Sequence, residues 1–136
     1  MAEAGTAQFK QELDVRASAL GCVRTIVKAH MCLWGFAPLA ETVALCLHEL
    51  LANVPRHTGS PKCKLTLDRS PDRLRVTVSD TSQTLPVKRE PDWTKETGRG
   101  LVLLDEMTDA WGAEPNPDGG KSVWFEIRAT PQREAA

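Results

Sequence analysis

The chain lacks a strong charge of either sign. Its formal net charge is -1, with 26% charged residues, so there is no basic field for nucleic acid or an anionic membrane. It also lacks an apolar run approaching the ~18 residues of a membrane span, and its first residues lack the basic and apolar segments of a secretion signal. We therefore expect a cytoplasmic protein that binds neither nucleic acid directly nor a membrane.

Cysteine is present, but not in the spacing of a metal or redox site. Cys22, Cys32, Cys46 and Cys63 form no C-x-x-C pair and have no histidine at zinc-ligand spacing. Buried free cysteine behaves as a small apolar residue, so we interpret these four as free thiols without metal or redox chemistry. The hydrophobic content of 41% is enough for the core of one domain without disulfides or metal.

Hydrophobic periodicity predicts three helices and five strands. The predicted helices cover residues 15–35, 38–57 and 101–108, and the predicted strands cover residues 8–12, 64–68, 74–79, 110–114 and 122–127. Helices early in the chain and strands in hairpins indicate an α+β fold, a two-layer α/β sandwich whose mixed, mostly antiparallel sheet carries helices on one face.

A polar segment interrupts this pattern, and the two ends of the chain fall outside it. Residues 81–97 show no periodicity, and an irregular segment of that length inside a compact domain favours a functional lid. We predict one domain over residues 8–128. It is flanked by a disordered N-terminus at residues 1–7 and a flexible tail at residues 129–136.

Three polar residues share one stripe of the second predicted helix. Glu49, Asn53 and His57 follow one another at four-residue steps, which places them on the same side of a helix. An unpaired carboxylate on an apolar helix is costly to bury. Glu49 therefore either pairs with a basic side chain at the helix edge or borders a cavity that holds water, metal or substrate.

Two further sites suit a nucleotide. Asp80 ends a predicted strand, where a carboxylate can accept a hydrogen bond from an exocyclic amine such as adenine N6; a turn-forming aspartate is the alternative. Gly98 and Gly100 precede an apolar helix, and a helix N-terminus with exposed backbone N–H groups attracts phosphate. Taken singly, such a glycine pair is usually a turn.

The ordered motifs resemble those of the GHKL superfamily, which includes gyrase, a heat-shock chaperone, histidine kinases and MutL. The strings HELLAN, SDTS, GRGL and GKSVW, at residues 48–53, 79–82, 98–101 and 120–124, are similar to its N box, two glycine boxes and final-strand motif. The resemblance covers residues 8–128 and implies a histidine-kinase-like ATPase domain of the Bergerat type. The Arg56-His57-Thr58 continuation and Trp111-Gly112 more narrowly resemble the bacterial anti-sigma factor serine/threonine kinases.

That resemblance implies ATP and Mg2+ as cofactors and gives the motif residues separate roles. Glu49 matches the general base, Asn53 the Mg2+-coordinating residue, Asp80 the adenine-binding acid, and Gly98 and Gly100 the phosphate cradle. The remaining candidates for nucleotide contact are His57, Ser82, Arg99, Leu101 and Ser122. Of these, Arg99 and His57 are candidate phosphate contacts, with a capping or core role open for His57, and Ser122 matches a hydroxyl residue near the base.

The implied function is partner switching in the control of transcription. Such a protein sequesters a sigma factor and phosphorylates a serine of an anti-anti-sigma antagonist of the STAS type; whether it forms a homodimer stays open. The presence of Glu49 and Asn53 favours the kinase, but two departures leave open the alternative of a nucleotide-dependent binding module with little or no kinase activity. Ser82 stands where the family has glycine, and Pro55 predicts a kink or an early end of the helix just after Asn53.

Overall fold

Five strands form one antiparallel sheet in the computed structural model, which describes residues 6–58, 62–80, 98–117 and 119–129. The order across the sheet is β1-β2-β3-β5-β4. The strands are β1 (Ala7–Asp14), β2 (Lys62–Ser70), β3 (Arg73–Asp80), β4 (Ala110–Pro115) and β5 (Lys121–Arg128).

All four pairings of the described strands are antiparallel, so the α+β class is confirmed but the mixed sheet is not. The reason lies in the position of β5. It inserts between β3 and β4, which run in the same direction, so the two strands joined by the long crossover are not neighbours. Each neighbouring pair therefore runs in opposite directions.

One face of the sheet forms the core. In β3, Leu74, Val76 and Val78 are buried, whereas the residues between them are partly exposed. A strand points successive side chains to opposite faces, so the buried set faces the helices and the other set forms the open face of the sheet. The second helix packs against β2 and β3 on the buried face.

In the part of the chain that the structure describes, three helices cover this face: α1 (Ala17–Leu33), α2 (Ala40–Thr58) and α3 (Gly98–Met107), with a short 3-10 turn at Ala37–Leu39. Helix α1 starts two residues later than predicted because β1 stays paired with β2 as far as Asp14. It ends before Gly35, whose φ of 83° is the left-handed conformation that closes many helices. The buried Arg69 of β2 donates to the Trp34 carbonyl at 2.8 Å and holds this end in place.

Helix α2 passes through Pro55 and continues to Thr58, so the predicted early end is wrong. Proline removes one donor, here the bond to the Leu51 carbonyl. That single loss falls in the last turns of a helix whose buried residues, including Leu47 and Leu51, hold it in the core. Among the described residues, no helix has the length and apolar character required to cross a membrane.

Candidate functional site

Asp80 is a buried acid at the end of β3. Its side chain is 6% exposed and lies on the helix-facing side of the sheet, opposite Cys63 of β2. Within the described part of the chain, no hydrogen bond or ion pair to its carboxylate is present. A buried carboxylate without a protein partner is costly, so this position favours a ligand that donates a hydrogen bond.

Gly120 lies directly against this acid. Its φ is +77°, and a Cβ added there would stand 2.5 Å from the Asp80 carbonyl oxygen and 2.8 Å from Asp80 Oδ1. Only a residue without a side chain fits so close to the carboxylate, and the left-handed backbone makes glycine the favoured residue as well. In the sequence, Gly120 is the first residue of the string that resembles the final-strand motif, and no local pattern there predicts its contact with Asp80.

Ser122 lies on the other side of the sheet from the Asp80 side chain. It pairs with Ser79 in the β3–β5 register, and alternation along both strands turns these two serines to the open face. The Ser122 hydroxyl lies 2.8 Å from Ser79 Oγ and donates to Asn116 Oδ1 at 2.7 Å. The structure thus places Ser122 near Asp80 in the sheet, with its hydroxyl engaged by protein.

Glu49 lies on α2, half-buried, and forms no hydrogen bond or ion pair with another described residue. It stands one turn after Cys46, which is buried. Burial, and then the charge of Glu49, raise the pKa of the Cys46 thiol to about 11. Similarly, burial raises the pKa of the Cys63 thiol to about 11, with smaller contributions from the charges of Asp80 and Asp14. Both candidate carboxylates thus border buried thiols of the core.

The rest of the predicted site is described only by its backbone or not at all. Asn53 and His57 lie on α2, one and two turns beyond Glu49. Helix α3 begins at Gly98, three residues before its predicted start, so Gly98, Arg99, Gly100 and Leu101 form its first turn. The backbone N–H groups of a first helical turn have no partner within the helix. Ser82 and the predicted lid at residues 81–97 lie outside the described residues.

A cleft lies between the three helices. This cleft of about 480 Å³ is lined by α1, α2 and α3, with Arg24, His48 and Met107 among its lining residues. Its lining includes neither Glu49 nor Asp80. The candidate site residues are thus Glu49, Asp80, Gly120 and the start of α3, and in the described part of the chain none of them lines this cleft.

The fold and this site define a class: a two-layer α+β domain with a buried acid at a strand end and a glycine-initiated helix. A family model described as a histidine kinase-like ATPase domain matches residues 13–127, and the chain belongs to that family. No curated protein matches the chain. The family indicates an ATP-binding domain and agrees with the superfamily inferred from the motifs.

Proposed function

We propose that this protein binds ATP with Mg2+ and acts as an anti-sigma factor with serine/threonine kinase activity. The observation that carries ATP binding is the buried Asp80, which lies against Gly120 and has no partner among the described side chains, in a chain that matches the histidine kinase-like ATPase domain. Because Gly120 has no side chain, its backbone lies directly against the acid. A flat base with an amino donor fits that arrangement.

The proposed roles follow the chemistry of phosphoryl transfer, which requires positioning, charge neutralisation and an oriented nucleophile. Asp80 accepts a hydrogen bond from the adenine amino group. Asn53 supplies an oxygen ligand to Mg2+, which takes few protein ligands and keeps several waters. The first turn of α3, from Gly98 to Leu101, offers backbone N–H groups and the positive end of a helix to the phosphates. Glu49 orients or deprotonates the attacking serine hydroxyl.

The proposal includes a regulatory role that involves two protein partners. A bound sigma factor and a STAS-type antagonist would compete for the protein, and the nucleotide state would set which one wins. Such switching requires a coupling free energy of only about 1–3 kcal/mol between the nucleotide and partner sites. The resemblance of the motifs to the anti-sigma kinases supports this part of the proposal.

The decisive experiment is incubation of the protein with radiolabelled ATP, Mg2+ and a panel of STAS-type anti-anti-sigma proteins. We expect one antagonist to be labelled on serine. Glu49→Gln should keep its ATP affinity but reduce the transfer rate by about 10²–10⁴-fold, the usual contribution of a general base. His48→Gln is the matched control, because His48 is the preceding residue, is exposed, and lines the cleft between the helices.

Two results would contradict the proposal in different ways. Absence of ATP binding by the wild type would remove the nucleotide function altogether. Transfer retained by Glu49→Gln would remove Glu49 from the role of base. ATP binding and sigma sequestration without any labelled antagonist would instead favour the second candidate function, a nucleotide-dependent binding module, which Ser82 at the family's glycine position supports.

A further inference from the structure

A directional chain of hydrogen bonds crosses the open face of the sheet behind Asp80. Ser122 donates its only hydroxyl hydrogen to Asn116 Oδ1 at 2.7 Å. The 2.8 Å contact between Ser79 Oγ and Ser122 Oγ must then be donated by Ser79, since a serine hydroxyl has one hydrogen and two acceptor lone pairs. The chain runs from Ser79 of β3 through Ser122 of β5 to Asn116.

Asn116 also closes the turn that leads into β5. Its backbone N–H donates to the Gly120 carbonyl at 3.0 Å, and its carbonyl accepts from the Gly119 N–H at 3.1 Å. Gly119 and Gly120 both have positive φ, at 104° and 77°. One side-chain bond and two backbone bonds from Asn116 therefore fix the conformation in which Gly120 reaches Asp80.

The contact between Gly120 and Asp80 leaves little space for movement. A methyl group at Gly120 would overlap the Asp80 carbonyl oxygen, which is 2.5 Å away. A shift of the turn toward β3 would therefore displace Asp80, and a shift away would open its packing. The position of the acid depends on where the turn is held.

We propose that Ser79, Ser122 and Asn116 are positioning residues that set the base selectivity of Asp80 from the opposite face of the sheet, acting through Gly120. The inference rests on the proposed ATP binding at Asp80. An ionised acid accepts a hydrogen bond from the 6-amino group of adenine and repels the 6-oxo group of hypoxanthine or guanine. That discrimination depends on distance and angle, because hydrogen bonds weaken steeply away from their preferred geometry.

The test compares the dissociation constants of ATP and ITP, which differ at the 6-position of the base. For the wild type we expect ITP to bind about tenfold or more weakly than ATP, as for loss of a hydrogen bond to a charged group. Ser79→Ala, Ser122→Ala and Asn116→Ala should reduce this ratio to about threefold or less. Partial unfolding would weaken both nucleotides equally and would leave the ratio unchanged, so the ratio separates positioning from stability.

Two control variants sharpen the comparison. Ser122→Thr retains a hydroxyl and should restore the wild-type ratio. Thr77→Val changes a hydroxyl on the same face of β3, two residues from Ser79 and opposite Trp124, and should also leave the ratio unchanged. If the ratio of the ITP and ATP dissociation constants falls equally in Thr77→Val, then any change to this face of the sheet lowers base selectivity. That result would overturn the specific role of the three residues.

The failure of this inference differs from the failure of the proposed function. A wild type that binds neither nucleotide would overturn both. A wild type that prefers ATP, with alanine variants that keep its full preference, would overturn the positioning role alone. Without any nucleotide, the Asp80 and Gly120 amide NMR signals should shift in Asn116→Ala and not in Thr77→Val. Unshifted signals in Asn116→Ala would also overturn the positioning role.

Discussion

At the scale of single residues, the burial of Asp80 and its lack of a partner among the described residues have the largest functional consequence. Asp80→Asn keeps the size of the side chain but removes the negative charge and half of the acceptor capacity. We expect ATP affinity to fall by about 10–100-fold, the range for a hydrogen bond to a charged group. Titration calorimetry with ATP measures this directly.

Asp68→Asn is the matched control for that substitution. Asp68 lies on the open face of β2, where its carboxylate accepts from Gln8 Nε2 at 2.6 Å, and it is remote from Gly120 in the sheet order. Its substitution should leave ATP binding unchanged. Equal ATP affinity for Asp80→Asn and the wild type would mean that Asp80 only ends a strand.

At the scale of secondary-structure elements, Gly112 and Gly21 make a matched pair. A Cβ at Gly112 of β4 would stand 2.8 Å from Trp124 Cζ2, and the Trp124 ring also contacts the Arg75 guanidinium, 4.0 Å from its centroid. Gly112→Ala should therefore displace the ring and destabilise the fold by about 1–3 kcal/mol. Gly21 of α1 has no atom within 4 Å of its Cβ position, so Gly21→Ala should stabilise by about 0.5–1 kcal/mol.

Urea unfolding followed by tryptophan fluorescence measures both changes. The two variants add the same methyl group. A lower unfolding free energy for Gly112→Ala would therefore be due to the Trp124 ring, and a higher one for Gly21→Ala to the helix. A Gly112→Ala protein as stable as the wild type would show that the β4–β5 pairing moves to accept the methyl group.

The order and type of the elements follow from the sequence because each has a strong local period. The alternating apolar residues of β2 and β3 and the helical spacing in α1 and α2 are local signals, and the structure has the predicted elements in the predicted order. The ends are less well predicted. Pro55 removes one hydrogen bond locally, but the packed face of α2 carries the helix to Thr58.

The candidate site was predictable only where it depends on a contiguous motif. Glu49 and Asp80 are predicted from the short strings in which they lie, HELLAN and SDTS. The contact of Gly120 with Asp80 and the bond between Ser79 and Ser122 join residues that are about forty positions apart. These contacts depend on the β3–β5 register. The two strands are not consecutive in the chain, so no hairpin turn fixes that register.

At the scale of the whole molecule, two buried thiols link stability to alkaline pH. Cys46 and Cys63 are each 1% exposed, and burial is the main cause that raises the pKa of each thiol from 9.0 to about 11. Between these values the folded protein keeps the thiols protonated, whereas the unfolded chain loses the protons. The thiols therefore contribute their full stabilisation below pH 9, and this contribution falls as the pH rises toward 11.

The expected slope follows from proton linkage. Each thiol should lower the free energy of unfolding by up to about 1.4 kcal/mol per pH unit in that window. Urea unfolding at several alkaline pH values measures the slope, with the four tryptophans as the probe and no tyrosine to ionise in the same range. The Cys46→Ala/Cys63→Ala double variant should be less stable at neutral pH but show a flatter slope. Cys22→Ala/Cys32→Ala, which changes the two exposed thiols, should keep the wild-type dependence of the unfolding free energy on pH. Equal slopes in all three proteins would contradict the prediction and show that the core accepts the ionised thiols.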